Sequence, residues 1–254
     1  MENLTPMNAA WSRDNLLLRA LPTHEFAQLR SRLEAVWLDA GAVLCEPGRR
    51  LEHLYFPLSS VVSLLQSTES GQSAQATLVG HEGVVGVALL LGGVRGNETA
   101  VALRAGWAWR LPRRAMREPA QLVARMQHGL LQFHQMLHFE TARTMLCSRY
   151  HRIDQQFCRW LLLAADRGGS DTMALTHEVV AHTMGVRRET ITGVLLRLRR
   201  LGAISCGRGR ITIADRELLE HAGCECHAVI AAEYERHFGV PPGRALPRVA
   251  QAGR

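Results

Sequence analysis

The stretch Thr176-His-Glu-Val-Val-Ala-His-Thr-Met-Gly-Val-Arg-Arg-Glu-Thr-Ile-Thr-Gly-Val-Leu-Leu-Arg-Leu-Arg-Arg-Leu-Gly202 decides the fold. Ile191, Val194, Leu195, Leu198 and Leu201 recur at helical spacing and form one apolar stripe, which leaves Arg188, Glu189, Thr192 and Arg199 pointing elsewhere. Gly185 supplies the positive φ of a tight helix-helix turn. Gly202 stops the second helix just after Arg199 and Arg200, whose charges suit a helix C-terminus. Two short helices about a glycine predict a helix-turn-helix. Next, Ala203-Ile-Ser-Cys-Gly-Arg-Gly-Arg-Ile-Thr-Ile-Ala214 reads as two β-prone runs split by Gly207-Arg208-Gly209, a hairpin with guanidinium groups at its tip. The unit is expected to be a winged helix-turn-helix.

These residue types suit double-stranded DNA. Arginine forks onto the two major-groove acceptors of guanine, and glutamate accepts from the cytosine amino group; each good contact discriminates by about 1–3 kcal/mol. Arg187, Arg188, Glu189 and Thr192 are the expected base-reading residues. Thr176, Arg199, Arg208 and Arg210 are the expected backbone contacts, which add affinity without sequence information. The plainer reading of an Arg-Glu pair in a helix's first turn is a solvated pair or a dipole partner. Its position between Gly185 and an arginine-tipped wing favours readout.

Gly185-Val-Arg-Arg-Glu-Thr-Ile-Thr, with the Leu-Gly-Ala-Ile and Gly-Arg-Ile-Thr-Ile runs that follow, resembles the DNA-binding domain of the Crp/Fnr family of bacterial transcription regulators. In that family a Gly-x-Ser-Arg-Glu-Thr run opens the recognition helix, and its arginine and glutamate match Arg188 and Glu189. Thr192 falls where some members have a contacting serine. Two departures bear on the target: Arg187 replaces the usual N-capping serine, and Gly193 replaces an arginine that many members use on a guanine. Leu44-Cys-Glu-Pro-Gly-Arg-Arg-Leu-Glu-His-Leu-Tyr-Phe-Pro57 and the glycines at 71, 80, 86, 92 and 106 are similar to the family's sensor domain, so the likeness spans roughly residues 14 to 238. Independently, the short apolar runs Val61-Val62-Ser63-Leu64-Leu65 and Ala76-Thr77-Leu78-Val79 imply an antiparallel β-roll or barrel.

The expected architecture is α+β. A cyclic-nucleotide-binding-like antiparallel β-roll fills residues 1–118, and a long dimerisation helix with its hinge fills 119–149. The winged helix-turn-helix fills 150–238 and a flexible tail 239–254. A homodimer paired through the long helix would set two recognition helices about 34 Å apart, one DNA turn, and so predicts a palindromic site; RNA polymerase is the expected protein partner.

The same resemblance argues against cyclic AMP. Family members that bind it carry Gly-Glu for the ribose and Arg-Ser/Thr-Ala for the cyclic phosphate. Here the matching pocket residues are Gly86-Val87 and Glu98-Thr99-Ala100. Val87 accepts no ribose hydrogen bond, and Glu98 sets a carboxylate where the phosphate needs a bidentate cation. Arg95 is the nearby arginine left to serve the phosphate if the alignment shifts. Otherwise Leu89, Leu90 and Leu91 fill a vestigial pocket, and the roll transmits another signal. No cofactor is required, and the effector is unidentified.

Composition agrees with this organisation. The 254 residues are 47% hydrophobic, enough for two cores, and a formal charge of +7 with a pI near 9.7 favours a polyanionic partner. No apolar run reaches the roughly 18 residues of a membrane span, and Met1-Glu-Asn-Leu-Thr-Pro lacks the marks of a secretory signal, so the expected location is cytoplasmic, away from the membrane.

The six cysteines do not form the amino-terminal cluster with which some family members hold an iron-sulfur centre. Cys224-Glu-Cys-His227 is the densest group and a soft-metal set by chemistry, but a helix would put Cys224 and Cys226 on different faces, so no metal is assigned. From Pro119 to Arg149, Met126, Leu130, Phe133, Leu137, Glu140, Thr144 and Cys147 follow a heptad seam. Met126, Leu130, Phe133 and Leu137 are therefore expected at a dimer interface; the alternative is one helix packed on its own roll. His134 and His138 lie four apart and read as a solvated pair rather than metal or haem ligands. The hinge is expected between Arg143 and Tyr150. Residues 215 to 238 read as one added helical element after the wing.

Catalysis is the competing class. The chain contains no Gly-x-Ser-x-Gly elbow, phosphate loop or His-Glu-x-x-His motif, which argues against an enzyme. The remaining alternative is a ligand-gated, redox- or metal-sensing module whose winged domain contacts protein; the exposed Arg188 and Glu189 face favours DNA.

Overall fold

In the computed structural model, residues 14–116 and 119–239 are described. The expected start and all of the tail except Gly239 lie outside them. The chain opens with two short helices, α1 (Leu16–Arg19) and α2 (Thr23–Arg30), followed by β1 (Glu34–Leu38), β2 (Val43–Cys45), β3 (His53–Pro57), β4 (Val61–Ser67), β5 (Ser73–Val79), β6 (Thr99–Arg104) and β7 (Gly106–Pro112). These strands form two antiparallel sheets, in the orders β1-β7-β3 and β2-β6-β4-β5. Together they make the roll.

The run Val61–Leu65 lacks the alternation of a half-solvated strand because both of its faces are covered. Val62, Leu64 and Val79 enter the roll's own core beside Phe56, Trp109 and Leu111. Val61, Leu78 and Leu103 enter a second core, built mostly from the C-terminal half. One sheet thus serves two cores.

Helix α3 (Pro119–Tyr150) leads to α4 (Ile153–Gly168), β8 (Thr172–Met173), α5 (His177–Met184), α6 (Arg188–Leu201), β9 (Ile204–Gly207) and β10 (Arg210–Ile213). The chain ends with α7 (Arg216–Ala222) and α8 (Cys226–Phe238). The added helical element is therefore two helices, broken around Gly223, where α7 ends before α8 begins at Cys226. Among the described residues no helix is long and apolar enough to cross a membrane.

The expected seam of α3 is corrected. Met126, Leu130 and Phe133 are buried in the roll's core and Leu137 packs against it. A Cβ on Gly83 would overlap the Phe133 ring, so that ring rests directly on the Gly83 backbone. Period-seven spacing alone does not say whether a stripe meets a second copy or its own domain, and here the roll occupies it. The exposed face of α3 carries Ala124, Leu131, His138 and Met145 at heptad spacing instead.

Polar contacts tie α3 and α4 to the roll. Arg167 on α4 pairs with Glu82 after β5 (Nε to Oε1, 3.1 Å) and with Glu140 on α3. Glu82 also accepts from the Gly80 amide (2.9 Å) and Glu140 from the Leu78 amide (3.3 Å). Trp160 on α4 donates its indole N–H to Gln75 on β5 at 3.0 Å.

Because Phe133 faces its own roll, Phe133→Ala should lower the unfolding free energy by about 3–5 kcal/mol, as buried aromatic truncations do. Denaturant unfolding checks the loss, and sedimentation should find the oligomeric state unchanged; a change in oligomeric state at unaltered stability would restore the original seam.

Candidate nucleic-acid interface and sensor cradle

The helix-turn-helix is built by local chemistry. Thr176 caps α5, its hydroxyl accepting from the Val179 amide at 3.2 Å. Gly185 ends α5 at φ +65, and its backbone lies against Ser73 on β5, where an added Cβ would come within 3.2 Å of the Ser73 carbonyl oxygen. Ser73 also bonds the ring and carbonyl of His182, so the turn of the DNA unit rests on the roll. Arg187 stands at the N-cap of α6 with no side-chain capping bond. Ile191, Val194, Leu195 and Leu198 are buried as the stripe required, whereas Leu201 is half exposed at the helix end.

Arg187, Arg188 and Glu189 are exposed at the start of α6. Thr192 is half-buried: its hydroxyl donates to the Arg188 carbonyl and meets His177 Nδ1, each at 3.1 Å. It therefore joins α5 to α6, with little hydroxyl capacity left for a base. Glu189, Gly193, Leu196 and Arg200 are all exposed at spacings of four, three and four, the outermost stripe of the helix. Leu196 and Arg200 were not among the residues expected at the interface, and their four-three spacing from Glu189 is what sets them on this exposed stripe.

The wing is a two-residue turn, Arg208-Gly209, between Gly207 and Arg210, with Gly209 at φ +66. Arg208, Arg210 and Arg199 are all exposed, and β8 extends the wing by pairing with β10. A helix start free of side-chain caps, flanked by these cations, presents amides and guanidinium groups suited to phosphates.

In the roll, Gly86 sits at φ +86, and a Cβ there would meet the His53 carbonyl oxygen at 2.8 Å, so only glycine fits. Val87 starts the 3-10 turn Val87–Leu89 and packs on the roll's core. Arg95 is exposed and donates to the Gly48 carbonyl at 2.6 Å. Thr99 opens β6 opposite Leu65. Glu98 is half-buried, and burial raises its carboxyl above the ordinary range.

His134 and His138 are exposed and gather no third ligand among the described residues. His227 turns to Asp166, 2.9 Å away, rather than to the thiols. Cys224 precedes α8, so the separation of Cys224 and Cys226 expected of a helix is corrected: both approach Cys147 and His151. A hydrogen bond from the Cys147 thiol lowers the Cys224 thiol below the ordinary range.

Two domain families match these halves: a Crp-like helix-turn-helix domain over residues 155–222 and a cyclic nucleotide-binding domain over 35–121. The chain belongs to the Crp/Fnr family. Global nitrogen regulators are among its relatives: that of Synechococcus elongatus is 28% identical over 191 residues, 71% of this chain and 86% of the relative. That of Synechocystis is 29% identical over 185 residues, 69% and 82%. A CRP/FNR-family transcriptional regulator structure from Thermus thermophilus is 26% identical, covers 74% of this chain and 97% of its own, and superposes with a TM-score of 0.58. Another CRP-family regulator of that organism shares the fold at 20% identity and TM-score 0.60, over 83% of this chain and 100% of its own. This Crp/Fnr chain is a transcription regulator with a DNA-binding helix-turn-helix, not an enzyme.

A carboxyl raised by burial contributes stability below its unfolded value of 4.5 and loses it as pH rises. Glu98→Gln should therefore melt higher than the parent at neutral pH, and the gap should close below pH 4.5. Thermal melts across that range check the sign.

Proposed function

We propose that this regulator works as a homodimer that reads a palindromic DNA site, and that its roll does not take cyclic AMP in the usual way. The observation that carries the reading is the exposed start of α6, with Arg187, Arg188 and Glu189 free of the protein core beside a wing tipped by Arg208. Arg188 and Glu189 read base edges, Arg187 takes a base or an adjacent phosphate, and Leu196 lies where a thymine methyl would pack. Thr192 acts by holding α6 on α5. Thr176, Arg199, Arg208 and Arg210 grip the backbone.

Dimerisation through the exposed α3 stripe of Ala124, Leu131, His138 and Met145 would set two recognition helices about 34 Å apart, one DNA turn. Leu131 and Met145 are 62% and 70% exposed, an apolar cost in water that a second copy removes. RNA polymerase is the further partner expected of a DNA-bound regulator. Val87 and Glu98 in the cradle oppose a ribose and a cyclic phosphate, so the signal is of another chemistry.

The test is selection from a random DNA pool by the full chain, with and without cyclic nucleotides. A palindrome enriched without nucleotide is expected. Arg188→Ala should relax preference at one position per half-site, with a cost of about 1–3 kcal/mol, while Arg208→Ala should weaken all sequences alike and flatten the salt dependence. Enrichment only with a nucleotide would overturn the cradle reading, and equal behaviour of both variants and parent would overturn the site assignment. Leu131→Glu with Met145→Glu should give monomers that bind the palindrome weakly; a dimer surviving both changes would place the interface elsewhere.

A further inference from the structure

Four side chains far apart in sequence converge where α3 hands over to α4. Cys147 lies in the last turn of α3 and His151 one turn on, its amide donating to the Cys147 carbonyl at 3.0 Å, so both side chains emerge on one side. Cys224 lies in the break between α7 and α8, and Cys226 opens α8 on the other side of Glu225. The four ligand atoms all lie within 4.8 Å of one another.

The separations fit one ion. Zinc-sulfur bonds of about 2.3 Å and zinc-nitrogen bonds of about 2.0–2.1 Å place tetrahedral sulfur-sulfur edges near roughly 3.8 Å and sulfur-nitrogen edges at about 3.5 Å. Cys147 Sγ and Cys224 Sγ are 3.6 Å apart, as are Cys226 Sγ and His151 Nδ1. An iron-sulfur cluster interposes several ions between its thiolates and needs them farther apart.

Two surrounding features match a metal shell. The outer nitrogen of His151, Nε2, lies 3.3 Å from the Glu225 carboxylate, the carboxylate-histidine arrangement that orients an imidazole ligand and fixes its tautomer. Three thiolates around a divalent ion leave one negative charge. Arg159 on α4 supplies the opposite charge: it acts electrostatically on Cys147, donates to Thr144 at 2.8 Å, and keeps its buried Nε without a hydrogen-bond partner. Cys158, though buried nearby, is not among the four.

The geometry points to a Cys3His site, Cys147, His151, Cys224 and Cys226, that binds one soft divalent ion, zinc by preference, and staples the α3–α4 junction to the segment that follows the wing. Loading displaces the thiol protons to solvent and leaves the ion four-coordinate and closed, as structural zinc is. The ion would fix the angle between the roll's helix and the DNA unit. That consequence rests on the DNA-binding reading, whereas the site itself does not.

The test uses the full chain purified under reducing conditions. Expected are one zinc per chain by elemental analysis, and, after exchange to cobalt, thiolate charge-transfer and tetrahedral d–d bands. Cys224→Ser and Cys226→Ser should each lose both signals, Cys206→Ser in the wing should keep them, and a strong chelator should lower the melting temperature of the parent and of Cys206→Ser but not of the other two variants. Chain without metal whose three thiols and imidazole ignore added zinc and cobalt would overturn the site, as would cobalt bands that persist in Cys224→Ser or iron bound with sulfide. The cobalt spectrum of the parent decides even if a variant fails to fold. A loaded chain that binds no DNA would leave the metal site standing and contradict only the DNA reading.

Discussion

A buried cation held by two buried carboxylates ties three parts of this fold together. The side chains of Arg167, Glu82 and Glu140 are 4%, 2% and 2% exposed, and each belongs to a different part of the molecule: α4, the loop after β5, and α3. Burial opposes the charge on Arg167, but Glu140 and Glu82 outweigh it and raise its pKa above the ordinary value. Such a network adds little net stability over an apolar packing of the same shape, yet removing one member costs about 3–5 kcal/mol because a charge is stranded. It therefore fixes the arrangement more than it strengthens it. Gly80 belongs to the same constraint, since a Cβ there would meet Glu82 Oε2 at 2.8 Å and the Arg167 side chain at 3.1 Å.

The sheet β2-β6-β4-β5 carries the same logic into the apolar part. With Val62 and Val79 facing the roll's core and Val61 and Leu78 facing the core of the DNA unit, a shift of this sheet is felt on both sides. The Ser73 contact with His182 and the backbone approach at Gly185 bring the roll to the turn that sets the angle between α5 and α6. A sensor signal that moved β4 and β5 would thus reach the recognition helix through packed atoms, without any long linker.

The local elements were legible in the sequence because their signals are local. Gly185 and Gly202 adopt the positive φ their positions required, the stripe of α6 is buried up to Leu198, and the wing turns at Arg208-Gly209. What was not legible is what an apolar stripe meets. Met126, Leu130 and Phe133 carry the same spacing whether they face a second copy or their own roll, and only the tertiary fold decides for the roll. Thr192 looked free by position, but His177 and the Arg188 carbonyl claim its hydroxyl. The cysteines failed for a related reason: a short-range reading grouped Cys224 and Cys226 with His227, while the interruption between α7 and α8 at Gly223 turns them toward Cys147 and His151, more than seventy residues upstream. Long-range convergence leaves no periodic trace in a sequence.

The claim that one buried network holds the sensor roll, the long helix and the DNA unit together is tested most directly by amide hydrogen exchange on the full chain and on Arg167→Met. Joint loss of protection at Leu78 and Gly80, along the middle of α3 and in α4 is the expected result, because all three lose a shared partner. Loss confined to the turns of α4 around residue 167, with β5 and α3 unchanged, would contradict it.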